Sequence, residues 1–192
     1  MGVSDDDVLI GWVGRLDRKK RVEDVLAAAA LITPAYPYAR FVIIGGPDAF
    51  MPDYADELRA LAQTLGLAKR VSFLGDRVDV PRLLGGLDVL IWLSRGEGMP
   101  HVIAEAGAAS LPVVATRDNG SEEQIVDDQS GLFVPHEDPS AVACALERLI
   151  SDQSLRARLG GNLRRKVEED YAVSVVIKRW EALFDEVAAE AL

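Results

Sequence analysis

Short, continuous runs of apolar residues recur along the chain at regular intervals and are rich in β-branched side chains. Runs of this kind, without polar alternation, are typical of strands that are buried on both faces of a sheet. A weaker run, GLFVP from Gly131, completes the pattern. The stronger runs are VLIGWVG from Val8, FVIIGG from Phe41, VSFLG from Val71, DVLIWLS from Asp88 and PVVAT from Pro112. The sequence therefore predicts a sheet of about six strands.

Helical patterns fill the intervals between these runs. Residues 22–29 carry apolar side chains at positions i, i+3, i+4 and i+7, which is the spacing of a helix with one buried face. A second helix is predicted over 54–65, before a stop signal at Gly66, and a third over 100–110. This alternation favours an α/β fold, a Rossmann-like doubly wound parallel sheet with helices on both faces and right-handed crossovers.

The end of the chain has a different pattern, because from Asp138 onward only helices are predicted. The last helix carries an apolar stripe formed by Val173, Val176, Ile177, Trp180, Phe184 and Val187. This stripe has to be covered, either by the rest of this chain or by a second domain that the chain lacks. Since no internal linker or repeat interrupts the pattern, residues 1–192 are interpreted as one domain with a helical C-terminal tail.

Composition and charge exclude several classes of protein. With 49% hydrophobic residues the chain can form a packed core, and 31 acidic against 21 basic residues argue against a nucleic-acid partner. Because no apolar run approaches the about 20 residues of a membrane span and no signal peptide is recognisable, a soluble cytoplasmic protein is expected. The single cysteine, Cys144, excludes an internal disulfide and is expected to be a small buried residue.

An acidic run near the N-terminus, Asp5, Asp6 and Asp7, nominally matches the D-x-D pattern of metal ligands. Near a chain end, such a run is more commonly a solvated segment than a binding site. We therefore interpret it as solvated, and no metal site is predicted for this chain.

Five cations stand within GRLDRKKR, residues 14–21, directly after the first predicted strand; we refer to this segment as the cation turn. Ligands of open α/β sheets bind at the carboxyl ends of the strands, so Arg15 and Lys20 are candidates to face a binding crevice. The other cations cannot all face it, and a solvated surface cluster remains the alternative. Neither G-x-G-x-x-G nor a P-loop is present in this turn.

A second segment, SRGEGMP at residues 94–100, follows the DVLIWL strand and is called here the glutamate loop. It contains Glu97 between two glycines and ends at Pro100, which suits the first position of a helix. The unpaired N–H groups at the start of that helix attract anions, and a carboxylate accepts hydrogen bonds from sugar hydroxyls. We expect Glu105, one turn deeper, to share this site, and the whole arrangement suits a ligand with a diphosphate and sugars.

The chain resembles the C-terminal domain of GT-B glycosyltransferases of family 4, the group 1 transferases. The resemblance covers residues 8–150 in order and spacing. It is carried by GRLDRKK, VSFLG, EGMPHVIAEA, LPVVAT and GLFVPHEDPSA, and the helical tail also fits. Two departures stand out. Arg21 occupies a position that is commonly glycine, and the family's G-G-x-P-E-x-V stretch appears as GSEEQIV at residues 120–126, which leaves the sugar contacts there open.

The resemblance implies transfer of a sugar from a nucleotide-diphosphate donor, most simply UDP- or GDP-linked, with retention of anomeric configuration and without a metal or other cofactor. It implies that Arg15 and Lys20 neutralise the leaving diphosphate and that Glu97 contacts the donor sugar. Glu105 is expected to accept the ribose hydroxyls, and the loop around Arg77 to hold the base. Further donor contacts are expected from Gly14, Gly98, Met99, Pro100, His101 and Val102.

The resemblance also implies that the N-terminal acceptor domain is absent, so that this chain by itself binds donor weakly and is inactive. Any peripheral membrane association is expected through that absent domain. Two alternatives stay open. The chain could be a stand-alone nucleotide-sugar-binding or regulatory module, or part of another GT-B enzyme such as a nucleotide-sugar 2-epimerase. A natural reading frame with about 170 to 200 further upstream residues would favour the transferase.

Overall fold

The computed structural model describes residue 4 and residues 6–190. In this part of the chain, six parallel strands form one sheet in the order β3-β2-β1-β4-β5-β6. The strands are β1 (Val8–Val13), β2 (Ala39–Ile44), β3 (Val71–Phe73), β4 (Val89–Trp92), β5 (Val113–Thr116) and β6 (Leu132–Val134). All six apolar runs, including the weak GLFVP run, are therefore strands, and the predicted α/β class is confirmed.

Eight α-helices and one short 3₁₀ helix, Arg18–Lys20, are present in the described residues. Those between strands are α1 (Val22–Ile32), α2 (Tyr54–Thr64), α3 (Val80–Leu84), α4 (His101–Ala108) and α5 (Asn119–Gln124). The tail consists of α6 (Pro139–Ser151), α7 (Gln153–Asp170) and α8 (Val173–Glu190). The helical C-terminal tail is thus confirmed, whereas the short helices α3 and α5 were not predicted.

The helices cover both faces of the sheet, because two separate buried clusters lie on its opposite sides. One cluster joins the strands to α1, α2 and α6, with Trp12, Leu26 and Leu58 among its fully buried side chains. The other joins the strands to α4 and α7, with Ile103 and Leu163 completely buried. Strands that are apolar on both faces need this double cover.

The centre of the sheet determines where a ligand can bind. Strand β1 pairs with β2 on one side and with β4 on the other, so the order of the strands reverses between β1 and β4. In open parallel sheets, the carboxyl ends of the strands diverge at such a point and leave a crevice. The cation turn follows β1 and the glutamate loop follows β4, so the two segments flank this crevice.

Two details of the predicted helices need correction. Pro100 is the N-cap of α4 with an extended ψ of 102°, and the helix begins at His101, not at the proline. Cys144 is exposed because it lies on the outer face of α6, whose inner face carries Val142 and Ala145. Helix α2, by contrast, ends as predicted, and Gly66 has the positive φ of 73° that favours glycine.

The acidic run agrees only in part with its interpretation as solvated, because Asp6 is exposed as expected whereas Asp7 is not. Asp7 accepts a hydrogen bond from the backbone N–H of Ser4 and pairs with Arg40 at 3.2 Å, and its side chain is only 6% exposed. The ion pair with Arg40 accounts for this burial, because a carboxylate is withdrawn from water only when it is paired. Asp5 lies outside the described residues.

The apolar stripe of α8 is largely uncovered in this chain. Val173, Ile177 and Phe184 are between 50% and 75% exposed, while Val176 is half-buried. Trp180 and Phe184 stack on each other with ring centroids 5.7 Å apart, which shields part of their surface. The described residues contain no helix with enough length and apolar character to cross a membrane.

Candidate functional site

The cation turn is a compact structure in which Asp17 and Arg21 mark the two ends of the 3₁₀ helix. The side chain of Asp17 accepts a hydrogen bond from the backbone N–H of Lys19 at 2.8 Å, which satisfies one free donor of the helix. Arg21 adopts the left-handed conformation, with a φ of 50°, and leads directly into α1. A position of this kind favours glycine, which explains why glycine is common there in the family that the sequence resembles.

Most cations of this turn are held by carboxylates of neighbouring segments. The ion pairs connect Arg15 to Asp48 at 2.9 Å, Arg18 to Glu57 at 2.6 Å and Arg21 to Asp24 at 2.8 Å. The side chains of Arg15 and Arg18 are 69% and 57% exposed, in line with the expectation that some of the five cations are solvated. Arg15 therefore bends toward the segment after β2 and is not paired with the glutamate loop.

Lys20 is the cation that crosses the crevice. Its Nζ atom donates to Oε1 of Glu97, which also accepts a hydrogen bond from the hydroxyl of Ser94 at 2.9 Å. The side chains of Lys20 and Glu97 are only 14% and 24% exposed. The Lys20 ammonium also lies 4.5 Å from the ring centroid of Trp92. The structure thus joins two predicted site residues that are far apart in the sequence.

The pKa of Glu97 reflects two opposing influences. Burial, the largest of them, disfavours the charged carboxylate, but the hydrogen bonds from Lys20 and Ser94 outweigh it and lower the pKa of Glu97 below its ordinary value of 4.5. Glu97 is therefore ionised at neutral pH and forms a charge-assisted pair with the lysine.

Hydrogen bonds to backbone groups shape the glutamate loop. The hydroxyl of Thr116 accepts from the backbone N–H of Ser94 at 3.0 Å and donates to its carbonyl at 2.8 Å. Asp118 accepts from the N–H of Gly96 at 2.9 Å. The N–H of Arg95 donates to the carbonyl of Lys19 at 3.1 Å, which links this loop directly to the cation turn.

Helix α5 packs closely against the same loop. The N–H of Gly120 donates to the carbonyl of Glu97 at 3.3 Å, and a Cβ atom at Gly120 would lie only 2.1 Å from the carbonyl oxygen of Gly98. Gln124 is completely buried, and its side-chain amide donates to the carbonyl of Pro100 at 3.2 Å. The GSEEQIV stretch therefore packs against the glutamate loop, a contact that the sequence did not predict.

Helix α4 presents its N-terminus next to this loop. Its N-cap, Pro100, has no side-chain oxygen, so it cannot cap the helix. The N–H groups of His101 and Val102 have no partner within the helix because they belong to its first turn. Together with the positive end of the helix dipole, they form a surface that can accept an anion.

The other predicted site residues have less specific surroundings. Glu105 and His101 are exposed on α4, whereas Val102 is buried, and Met99 is 41% exposed. Arg77, after β3, forms a two-pronged ion pair with Asp79, both contacts being 2.8 Å long. The side chain of Arg77 is thus already engaged, so the base contact predicted for this loop would require its backbone or the displacement of Asp79.

Several supporting residues were missed by the sequence analysis, among them Trp92, Ser94, Asp118 and Asp48. Ser94 and Asp118 each lie two residues after the end of a strand, where short polar residues at the carboxyl edge are a usable signal. Trp92 and Asp48 carried no such signal, because an apolar strand residue and a loop acid are ordinary features of any sequence. Within the described residues, no group of three or more His, Cys, Asp or Glu side chains is arranged to hold a metal ion.

A parallel six-stranded sheet with this strand order, helices on both faces and a helical tail is the architecture of GT-B glycosyltransferases, and solved glycosyltransferase structures match it. The chain matches the family described as "Glycosyl transferases group 1" over residues 2–166, and it belongs to that family.

Similar proteins carry related names. The D-inositol 3-phosphate glycosyltransferase of Corynebacterium urealyticum is 36% identical over 160 residues, which make up 81% of this chain and 38% of that protein. The N-acetyl-alpha-D-glucosaminyl L-malate synthase of Bacillus anthracis is 27% identical over 97% of this chain and 47% of its own length. The chain thus spans less than half the length of both relatives.

Two solved structures illustrate the similarity. Alr3699/HepE of Anabaena, in complex with UDP and glucose, superimposes with a TM-score of 0.87 and 25% identity over 94% of this chain and 49% of its own. The C-terminal domain of the group 1 family protein LpcC from Francisella tularensis superimposes with a TM-score of 0.81 and 30% identity. That match covers 86% of this chain and 87% of the LpcC domain, so the two have nearly the same extent.

Proposed function

We propose that residues 1–192 form the donor-binding, C-terminal domain of a longer GT-B glycosyltransferase of family 4, which transfers a sugar from a nucleotide diphosphate with retention of configuration. One observation carries this proposal. Lys20, after β1, meets Glu97, after β4, in the crevice where the strand order reverses and beside the N-terminus of α4. The extent of the match to the LpcC C-terminal domain supports the assignment to the second half of the enzyme.

In this proposal, Lys20 and Arg15 stabilise the diphosphate as the bond to the sugar breaks. Negative charge grows on the leaving group in the transition state, and only contacts that strengthen there accelerate the reaction. A cation at about 4 Å contributes about 4 kcal/mol at an effective dielectric constant near 20. Since Arg15 is paired with Asp48 and is largely exposed, Lys20 carries the larger share.

The glutamate loop and α4 supply the remaining donor contacts. The Glu97 carboxylate, already ionised and oriented by Ser94, accepts hydroxyl hydrogen bonds from the donor sugar. The backbone N–H groups of Met99, His101 and Val102 bind the diphosphate at the helix N-terminus. Gly14 and Gly98 allow the donor to approach the backbone closely because they lack a side chain.

The nucleoside occupies the outer part of the crevice. Glu105 is exposed one turn along α4 from the helix start, which suits a carboxylate that accepts the ribose hydroxyls. The backbone of the loop that contains Arg77 contacts the base. We propose UDP as the nucleotide of the donor, since HepE of Anabaena was solved with UDP and with UDP-glucose at 25% and 26% identity to this chain.

The exposed stripe of α8 fits the missing acceptor domain. Because the chain spans less than half the length of its relatives, the complete enzyme has room for a second domain of similar size. Apolar residues such as Ile177 and Phe184 would be buried at the contact between the two domains. The chain alone is then expected to bind donor weakly and to transfer nothing.

Nucleotide binding by the chain itself tests this proposal. Thermal unfolding with UDP, GDP and ADP, each at millimolar concentration, should show a selective rise in Tm for one of them, because a ligand that binds only the folded state stabilises it. The Lys20→Ala variant should lose most of this shift, while Lys69→Ala, which changes a lysine outside the crevice, should keep it. Equal or absent shifts with all three nucleotides in the wild-type chain would contradict a donor site.

A further inference from the structure

The ion pair with Glu97 is not the only contact that holds the Lys20 ammonium. Its Nζ atom lies 4.5 Å from the ring centroid of Trp92, a distance at which the electron-rich face of an indole attracts a cation. Trp92 is 5% exposed and Lys20 is 14% exposed at its side chain, so little water separates or screens the two groups. Tryptophan is the aromatic residue for which this attraction is strongest.

The indole itself is held rigidly. Trp92 ends β4, and its ring stacks on that of Trp12 in the neighbouring strand, with centroids 6.5 Å apart and an angle of 17° between the planes. Trp12 is completely buried. A cation over the face of this pair is therefore bound to a surface that cannot move without disturbing the centre of the sheet.

Gly14 lies against the edges of these two indoles, where a side chain would not fit easily. A Cβ atom at Gly14 would lie 3.2 Å from Cη2 of Trp12, which is tighter than ordinary packing, and in contact with Cζ3 of Trp92 at 3.4 Å. The absence of a side chain therefore lets the cation turn pass over the edges of both indoles. Lys20 can then place its ammonium over the face of Trp92.

We propose that Trp92 is a positioning residue, whose indole face fixes the Lys20 ammonium in the crevice when an anionic ligand competes with Glu97 for that cation. A lysine side chain has four flexible carbons and loses much rotamer freedom when it is fixed by a single partner. With two partners, the ammonium keeps one contact when the other is exchanged. The role for an anionic donor rests on the function proposed above; the contact itself does not.

Nuclear magnetic resonance of the chain with ¹³C,¹⁵N-labelled lysine tests the contact. The chain has five lysines, and the signal of Lys20 is identified by its loss in Lys20→Arg. In the wild type, the Hε and Cε signals of Lys20 should be shifted upfield by the indole ring current, away from the other four. The upfield shift should persist in part in Trp92→Phe, which keeps an aromatic face. It should vanish in Trp92→Leu, because leucine is similar in volume to phenylalanine but has no aromatic ring.

The same variants test the positioning role by calorimetry with UDP. Trp92→Leu should bind UDP between about twofold and thirtyfold more weakly than the wild type, the range expected from losing a cation–π contact. Trp92→Phe should recover part of that loss. Thermal unfolding of both variants checks that they fold, and the Phe and Leu variants serve as controls for each other because both shorten the same buried side chain.

The outcomes separate the two proposals. A Lys20 signal without an upfield shift in the wild type, or equal UDP affinity in Trp92→Leu and the wild type, would overturn the positioning role. Equal losses in the Phe and Leu variants would also overturn it, since packing alone would explain them. If the wild type shows the shifted lysine but binds no UDP, GDP or ADP, the contact stands and the proposed donor site fails.

Discussion

The two segments that flank the crevice are held in different ways. In the cation turn, charged side chains are bound by carboxylates from other elements, as in the pairs of Arg15 with Asp48 and Arg18 with Glu57. In the glutamate loop, the backbone is bound by the side-chain oxygens of Thr116 and Asp118 and by close packing against Gly120.

Because of this difference, the cation turn mainly provides charge, whereas the glutamate loop mainly provides a fixed backbone shape. Exposed ion pairs such as that of Arg18 contribute little to stability, so the cation turn can rearrange at low cost when an anion arrives. The backbone of the glutamate loop, in contrast, is constrained by Gly120 at a distance that tolerates no side chain. Lys20 and Glu97 form the contact between the adaptable and the rigid segment.

The largest effect is expected from breaking that contact at the lysine. In the longer transferase proposed above, Lys20→Ala should lower kcat about a hundredfold or more, the scale on which a preorganised electrostatic donor acts. Steady-state kinetics with saturating donor measures this decrease. Lys19→Ala is the matched control, because Lys19 lies next to Lys20 on the same turn but is exposed. A decrease of less than threefold would remove Lys20 from the mechanism.

A substitution in the rigid segment should mainly affect stability. Gly120→Ala should lower the free energy of unfolding by about 2 kcal/mol, because the new methyl group would collide with the carbonyl of Gly98. Gly98→Ala is the control, since no atom lies within 4 Å of its Cβ position. Urea unfolding of both variants measures the difference, and equal stabilities would mean that α5 does not constrain the loop.

A smaller effect on stability is expected from substitutions of Arg21, the residue of the cation turn with a left-handed backbone conformation. Arg21→Gly and Arg21→Ala both lose the ion pair with Asp24, but only alanine keeps the strain of the positive φ of 50°. The glycine variant should therefore be more stable than the alanine variant by about 1 kcal/mol in urea unfolding. Should alanine prove the more stable of the two, the conformation at this position is not left-handed in solution.

The smallest effect concerns pH and the Glu97 carboxylate. Because the pKa of Glu97 is lowered in the folded state, its ionised form stabilises the fold above the ordinary value of 4.5, and this contribution is lost as pH falls through the folded value. The stability difference between the wild type and Glu97→Gln should thus be largest above pH 5 and shrink in acid. Thermal unfolding between pH 3 and 7 measures it, and a difference that grows in acid would contradict the sign of the pKa change.

How far the sequence predicts this protein depends on the range of the interaction. Strands buried on both faces leave a strong local signal, so even the short β6 could be predicted. The meeting of Lys20 with Glu97 followed from a general rule about the carboxyl ends of parallel strands. The partners of the other cations could not be predicted in this way, because Asp48 and Glu57 are brought to the turn only by packing of the segments after β2.

Local misjudgements have equally physical causes. The helix was expected to begin at Pro100 because proline suits the first helical turn, but the carbonyl of Pro100 is engaged by Gln124 and its ψ is extended. Cys144 was expected to be buried from the average behaviour of cysteine, whereas its position on α6 decides its exposure. In both cases, the place of the residue in or beside its helix determines its conformation or exposure more than the residue type does.

The hydrogen bond from the N–H of Arg95 to the carbonyl of Lys19 has a practical consequence for engineering. Since main-chain atoms of the two segments are bonded to each other, a segment taken from a relative keeps this contact only if its backbone follows the same path beyond the carboxyl ends of β1 and β4. Chimeras that test the proposed donor site should therefore transplant residues 14–21 and 94–100 as a pair.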